Sequence, residues 1–294
     1  NAKVIVYAET IFDIGDKVTI EGVPYLPENN YLFPQKDYYK TNGIFLCINA
    51  EKYNKITHLI TPNSVASLYR NYLSSEIDYL APGREGKLMK ALIFGDESGM
   101  DDEVIGYFSK SGISHIISVS GFHLAVVCGI VFYLLKTMKL GKIPRFIISE
   151  IFIFSFAALA GFSVSVVRSG IMMTVFLLGE IKKRRQDILS SLGTALILLT
   201  ITMPFAIRNT SLLLSVTGVF GIGVVAPYFT KGINFGKYID KPLKTLIYSA
   251  VCSLTTLPFV LLTFREVSVI SPISNLLLVP LCSVILILGI IVVL

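Results

Sequence analysis

From residue 113 the chain reads ISHIISVSGFHLAVVCGIVFYLL (113–135), a stretch without Asp, Glu, Lys or Arg. A bilayer's hydrocarbon core of about 30 Å needs about 20 mostly apolar residues to be crossed as a helix, so this stretch reads as a membrane segment. It is the first of about seven, the others covering about 146–162, 163–181, 188–203, 211–230, 245–264 and 269–294, with the third and fourth the short ones. Composition agrees: 53% hydrophobic residues, 16% charged and a mean hydropathy of +0.69 are too apolar for an ordinary soluble domain. The expected fold class is therefore a polytopic α-helical membrane protein with a small N-terminal β domain.

Residues 1–110 differ in kind. They hold most of the acidic groups, and their first sixty positions contain short β-branched stretches at Lys3–Ala8, Lys17–Glu21, Gly43–Ile48 and Ile56–Ile60 between Gly, Pro and Asn clusters, the pattern of a small β domain. A long loop, Pro24–Asn42, carries Tyr25, Tyr31, Phe33, Tyr38 and Tyr39. Such aromatics either stack bases, as in single-strand binders, or pack over the sheet, and packing is the commoner use. Thr61-Pro62 opens a helix, with Thr61 as N-cap and Pro62 at the first helical position. Ala81-Pro82-Gly83 ends it, and helical stretches follow at Lys87–Phe94 and Asp101–Lys110, the latter with Asp101, Asp102 and Glu103 at its favourable N-terminal end. The expected division is a β domain at 1–61, a helical connector at 62–112 and a transmembrane domain at 113–294. A first residue that is not Met and a last residue inside an apolar run read as a window on something longer.

The net charge of +6 is not a nucleic-acid signature, because its excess lies between the apolar runs. With alternating spans, Lys136, Lys139, Lys142 and Arg145, then Lys182, Lys183, Arg184 and Arg185, then Lys231, Lys237, Lys241 and Lys244 fall on one side, against Arg208 and Arg265 on the other. Lys and Arg stay on the cytoplasmic side. That assigns these loops to the cytoplasm and the β domain to the exterior of a cytoplasmic-membrane protein.

Gly161-Phe162-Ser163, Pro258 after Thr255-Thr256, and Ser271-Pro272 and Pro280 around Asn275 interrupt the apolar runs. Freed backbone groups are tolerated at membrane depth only against protein or a watery cavity, so broken helices point to a transport pathway. Arg168 lies inside a span, where a guanidinium costs at least about 2.5 kcal/mol. Either it touches a phosphate backbone in a pore, or it snorkels to the interface or bonds helix carbonyls. SGISHIISVSGFHL (111–124) places Ser118 and His115, and Ser120 and His123, three residues apart, so that each pair can meet on a helix face. No local carboxylate orients either imidazole, so a polar pore lining or packing seam is the better reading than a nucleophile.

Other chemistry finds no support. No G-x-x-x-x-G-K-[ST] loop is present for ATP hydrolysis. His58, His115 and His123 stand at unrelated places, and Cys47, Cys128, Cys252 and Cys282 are scattered, which gives neither a metal site nor a disulfide framework. No catalytic residue, metal or cofactor is expected in this segment.

ALIFGDESGM (91–100) followed by GISHIISVSGFHL (112–124) resembles the "LLLGDRSGL…HLLAISGLH" signature of the ComEC family of DNA-uptake channels. GFSVSVVRSGIM (161–172) is similar to that family's "GFSPSVVRA" element and SPISNLLLVPL (271–281) to its "SPLANLLAVPL" element, while YYKTNGI (38–44) is similar to the "YLRSRGI" of its extracellular OB-like domain. The resemblance covers nearly the whole chain. It implies an OB-like N-terminal domain and passage of single-stranded DNA across the cytoplasmic membrane in natural transformation. It puts Gly95, Asp96, Ser120, Gly121, His123, Arg168 and Asn275 on motif positions. Phe122 for leucine, Ser163-Val164-Ser165 for Ser-Pro-Ser, and a stretch 203–215 without the usual polar residues depart from the pattern. Family members often add a C-terminal nuclease. The implied partners are single-stranded DNA, the lipid bilayer, a separate DNA receptor and a cytoplasmic ATP-driven motor. Path candidates are Ser118, Ser120, Gly121, His123, Arg168 and Asn275, with Tyr31, Phe33, Tyr38 and Tyr39 as DNA-contacting aromatics of the outer domain. Rival classes are a small-molecule secondary transporter, which should show inverted repeats that the halves lack, and a membrane-anchored receptor, which would tolerate changes at Arg168.

Overall fold

The computed structural model describes residues 3–8, 12–28, 35–41, 43–183, 187–202, 209–233, 236–264 and 266–293. At the front, β1 (Lys3–Tyr7), β2 (Asp16–Tyr25) and β3 (Ile44–His58) form a sheet in the order β1-β3-β2, with β1 parallel and β2 antiparallel to β3. Among the described residues it is three strands wide, narrower than a five-stranded OB barrel. The stretches expected as two strands, Gly43–Ile48 and Ile56–Ile60, are one continuous strand. Beyond Cys47 that strand is largely exposed, so it needs no apolar alternation, and its polar run Asn49–Lys55 imitates a loop. Asp16 ties the far end of the pair: its carboxylate meets Lys55 Nζ at 2.7 Å and His58 Nδ1 at 2.7 Å. Inside the aromatic loop a short helix α1 (Gln35–Thr41) has formed.

The connector helices begin where local chemistry predicts. Helix α2 (Pro62–Leu80) is capped by Thr61, whose Oγ1 accepts from the Ser64 amide at 3.1 Å while Ser64 Oγ accepts from the Thr61 amide at 2.8 Å, with Pro62 in the first turn. Helices α3 (Arg84–Phe94) and α4 (Asp102–Lys110) follow, and then a single turn α5 (Ser114–Ile117).

The remaining helices are α6 (Gly121–Thr137), α7 (Lys142–Leu159), α8 (Val164–Ile181), α9 (Ile188–Thr202), α10 (Thr210–Phe220), a turn of π-helix (Gly221–Val225) leading into α11 (Ala226–Thr230), α12 (Lys237–Phe264) and α13 (Ser271–Val293). Among the described residues four continuous helical stretches have the length and composition to cross a bilayer: Val164–Ile181, Thr210–Thr230, Ile239–Thr263 and Ser271–Val292. Gly121–Thr137 and Ile188–Thr202 are apolar but shorter. The protein is a multi-pass helical membrane protein carrying a small β domain at its N-terminus.

Two expected interruptions are absent. Helix α12 runs unbroken through Pro242 and Pro258, and α13 through Pro280. Just ahead of Pro258 the Thr255 and Thr256 hydroxyls fold back on their own helix, donating to carbonyls of Val251 and Cys252 at 3.0 and 2.9 Å. Gly161-Phe162-Ser163 does part α7 from α8, and a further break lies at Ser118–Ser120, between α5 and α6.

One core joins connector and bundle. Leu73 and Ile77 of α2 and Ile93 and Phe94 of α3 are buried with Leu124 and Val127 of α6, Phe156 of α7, Val166 of α8 and Leu286 of α13. Burial of several such side chains, at about 1.5–3 kcal/mol each, fixes α2 and α3 against the bundle flank.

Candidate functional site

The break at Ser118–Ser120 starts α6 in the middle of an apolar run. Ser120 is its N-cap, in extended conformation with φ −114° and ψ 171°. The Ser120 amide donates to His123 Nδ1 at 3.1 Å, and the Ser120 hydroxyl lies 3.2 Å from the same nitrogen. This is a capping box in which His123 stands where Glu or Gln is usual. The imidazole is 1% exposed and its Nδ1 is committed to the backbone. No carboxylate among the described residues bonds to it, so the Ser/His pair has the geometry of a helix cap rather than of a catalytic dyad.

Gly121 lets α6 start hard against α8: a Cβ there would overlap Ser169 Oγ and lie 3.6 Å from Arg168 Nη2. Gly95 does a similar service from the connector. It closes α3 in left-handed conformation at φ +72°, with Val119 Cγ2 3.0 Å from where its Cβ would be, so the GDESG and SVSG stretches meet. Beside it the Asp96 carboxylate accepts from the hydroxyl and amide of Ser98 at 2.6 and 3.2 Å, bonds that hold it below the usual carboxylate range.

Arg168, in the second turn of α8, is 4% exposed. Its Nη1 donates to the Ser211 carbonyl of α10 at 3.5 Å, its Nε has no partner, and no described carboxylate pairs with it. The guanidinium does not snorkel to water; it bonds one helix carbonyl, as one of the two alternatives expected, and with that single long bond and no described counter-charge it is under-bonded for a buried cation. Asn275, in α13, donates to Ser249 Oγ at 3.2 Å and Ser271 Oγ at 3.4 Å and leaves its buried Oδ1 unpartnered.

These residues share one space. A cavity of about 2140 Å³ is lined by Ser118, Ser120, Gly121, Arg168 and Asn275 together. His123 is not on its wall. Neighbour contacts run from α6 to α8, α8 to α10, α10 to α12, α12 to α13 and α13 back to α6, and each of these five helices supplies lining residues. The five thus form a closed circuit of neighbours that all border the cavity, and α7 (Ser149) and α9 (Ile188, Ser191) add to its lining. Its lining joins a serine-rich part (Ser165, Ser169, Ser211, Ser215, Ser253) to an aromatic and aliphatic part (Phe122, Phe132, Met173, Phe176). The other charged lining residues, Glu97, Lys110, Asp187 and Glu266, are exposed, so among the described residues Arg168 is the buried charge of this wall.

The outer-domain aromatics are elsewhere. Tyr31 and Phe33 lie outside the described residues. Tyr38 and Tyr39 are on α1, and the Tyr39 hydroxyl accepts from Gln35 Nε2 at 2.8 Å and shares a hydrogen bond with Tyr7 at 3.2 Å. That bond fastens α1 to the sheet, where Tyr7 in turn stacks on Tyr25 with centroids 6.5 Å apart.

Sequence reasoning missed several polar groups. Ser149 of α7 lines the cavity with its buried hydroxyl unpartnered. Glu150 next to it receives Thr174 Oγ1 at 3.0 Å, with its second oxygen unpartnered, and Arg145 meets Glu180 at 3.3 Å. The serines and threonines of the wall recur at helical spacing, Ser165/Ser169, Ser211/Ser215 and Ser253/Thr256, a polar stripe that a helical-period search would find. Among the described residues no group of three or more His, Cys, Asp or Glu is placed to hold a metal ion.

The model of one protein family, "Competence protein", matches residues 92–294. The chain belongs to the Competence protein family. The match bears out the resemblance carried by the GDESG, SVSGFH and SVVRSG stretches. It takes in all five helices of the circuit and every path candidate on the cavity wall, while the β domain and α2 precede it. ComE operon protein 3 of Bacillus subtilis (strain 168) is 26% identical over 255 residues, which are 86% of this chain and 31% of that protein. Recombination protein 2 of Haemophilus influenzae is 29% identical over 104 residues, 33% of this chain and 13% of that protein. The chain thus spans less than a third of the length of these curated relatives. No solved structure gives a significant match.

Proposed function

We propose that the chain forms the membrane core of a DNA-uptake channel, passing single-stranded DNA across the cytoplasmic membrane in natural transformation. The observation that carries this reading is Arg168: a buried, under-bonded guanidinium on the wall of a cavity ringed by five helices, in a member of the Competence family. A phosphate would supply the charge-assisted bonds that Arg168 lacks. The nearby wall aromatics Phe122, Phe132 and Phe176 offer the other half of single-strand chemistry, since bases stack on aromatic rings without regard to sequence. Duplex DNA asks for a wider passage than one strand does.

In this reading Ser118, Ser120, Gly121, Arg168 and Asn275 line the path, and His123 supports it by holding the start of α6. The β domain, residues 1–61, stands outside the cell on the connector 62–112, leading into the transmembrane domain 113–294, because the basic loops belong to the cytoplasmic side. Tyr38 and Tyr39 belong to that outer domain together with Tyr31 and Phe33. The segment is a passive conduit: strand capture falls to a separate receptor, pulling to a cytoplasmic ATP-driven motor, and strand degradation to a nuclease outside this segment.

The test is uptake of labelled duplex DNA by competent cells of the source organism, comparing wild type, a deletion and full-length Arg168→Gln at matched membrane levels. One charged hydrogen bond contributes about 1.5–3 kcal/mol, so Arg168→Gln is expected to cut cytoplasmic DNA about tenfold or more while surface-bound DNA accumulates. Arg168→Lys should restore part of the loss, as a point charge without the planar fork. Normal cytoplasmic uptake in the deletion would end the channel reading.

A further inference from the structure

A second, smaller pocket of about 180 Å³ lies on the flank of the bundle, away from the large cavity. It is bounded by Tyr69 and Leu73 of α2, Phe94 of α3, Phe152 and Phe156 of α7, and Ile290 of α13. Its volume is what about six water molecules take in the liquid. Yet the only polar side-chain groups on its wall are the Ser155 hydroxyl and the Tyr69 phenol. Water needs two or more polar partners to be held, so the space is suited to an apolar occupant.

The surroundings say which. Ser155 sits at the mouth, exposed, one helical turn beyond Ile151 and next to Phe154, which are 62% and 63% exposed on α7. In a membrane protein that ridge faces lipid tails, so the mouth opens where acyl chains run. Above it, α2 carries a second uncovered apolar arc, with Leu68, Tyr72 and Tyr79 at 62%, 57% and 83% exposure, while Asn63, Ser67, Asn71, Ser74 and Asp78 fall on the opposite arc at helical spacing. A helix of this pattern lies along a bilayer surface, and tyrosines mark headgroup level. Next to the lining residue Tyr69, Arg70 holds its guanidinium carbon 5.7 Å from the ring centroid of Phe94, which also lines the pocket, and the Asp96 carboxylate lies 3.9 Å away, beyond hydrogen-bond distance. The two are ion-paired, but among the described residues no hydrogen bond to the Arg70 guanidinium forms, so its N–H groups can turn to a second anionic group.

We propose that this pocket is a phospholipid site, holding the upper part of one acyl chain with the lipid's phosphate on Arg70. The lipid would wedge α2 and α3 against α7 and α13, joining the connector to the bundle through the membrane itself. It rests on no assumption about what passes through the large cavity.

The experiment is native mass spectrometry of the purified full-length protein, titrated in detergent with phosphatidylglycerol and with diacylglycerol of the same chains. Wild type is expected to take one phosphatidylglycerol in preference to diacylglycerol. Ser155→Phe, which fills the mouth, should weaken phosphatidylglycerol at least tenfold, and Arg70→Gln should bring it down to the diacylglycerol level. Equal binding of the two lipids by wild type, or unchanged binding by a monodisperse Ser155→Phe protein, would overturn the proposal. A measurement free of any variant uses phosphatidylglycerol with a diazirine near the carbonyl end of one chain, photolysed in vesicles with wild-type protein. Label on the peptides containing Tyr69–Leu73 or Phe152–Leu159 supports the site, and label confined to other segments refutes it.

Discussion

His123 shows how one side chain can carry a family motif without lining the cavity beside it. Its ring is buried and its Nδ1 receives the Ser120 amide at 3.1 Å, the place that Gln or Glu fills in ordinary capping boxes. His123→Gln should therefore keep both stability and DNA uptake, whereas His123→Ala should cost about 0.5–2 kcal/mol of cap energy, read as a lower melting temperature of the purified protein, with uptake falling only as far as membrane levels fall. A stable His123→Gln protein that fails to take up DNA would instead make the imidazole part of the passage. At this scale the sequence was partly legible. Arg168 stood out because a lone cation in an apolar run is costly. Glu150, in the equally apolar FIISEIFIF (146–154), carries the same signal and went unremarked beside the basic cluster of Lys142 and Arg145. Nothing local distinguishes the imidazole that caps a helix from one that faces a cavity, because the difference is the direction of a ring about one bond.

Elements were legible where their ends are local and illegible where their neighbours decide. Thr61-Pro62 announced α2 because a cap and a fixed φ act within four residues. Strand β3 was divided in two because its outer half is exposed, and only pairing with β2 makes it a strand. Pro258 and Pro280 looked like breaks because a proline removes a donor, but each costs its helix one bond out of a long ladder and the helices continue. The β2–β3 pair also has an acid-sensitive pin. Bonds from Lys55 and then His58 hold the Asp16 carboxyl down to about 2, against about 3.9 for an aspartate in an unfolded chain. A depressed carboxylate lends stability above its unfolded value and loses it as pH falls through its folded one. The melting-temperature gap between wild type and Asp16→Asn should therefore be full above pH of about 4 and closed by pH of about 2. A gap that persists at that acid limit would show that the pin is not ionic.

For the molecule as a whole, the circuit α6–α8–α10–α12–α13 was not legible at all, since periodicity finds helices but not the order in which they touch. The proposed passage has a signature at this scale. Each phosphate neutralised on a single strand contributes about −0.7 to the slope of log affinity against log salt. Equilibrium binding of a single-stranded oligonucleotide to the purified full-length protein should thus weaken with salt, and Arg168→Gln should flatten the slope by about 0.7. An unchanged slope would place the phosphate contacts away from Arg168. The same circuit imposes an order on biogenesis. Its first wall, α6, is made early and its last, α13, only after α12, and the contact that seals the ring joins these two. Until α13 arrives, the half-built arc has an open seam towards lipid, and the cavity lacks the wall that Ser271 and Asn275 supply. Insertion thus passes through a stage in which the polar wall stands open to lipid, and a ribosome stalled before α13 would leave behind a membrane protein with an unsealed polar groove.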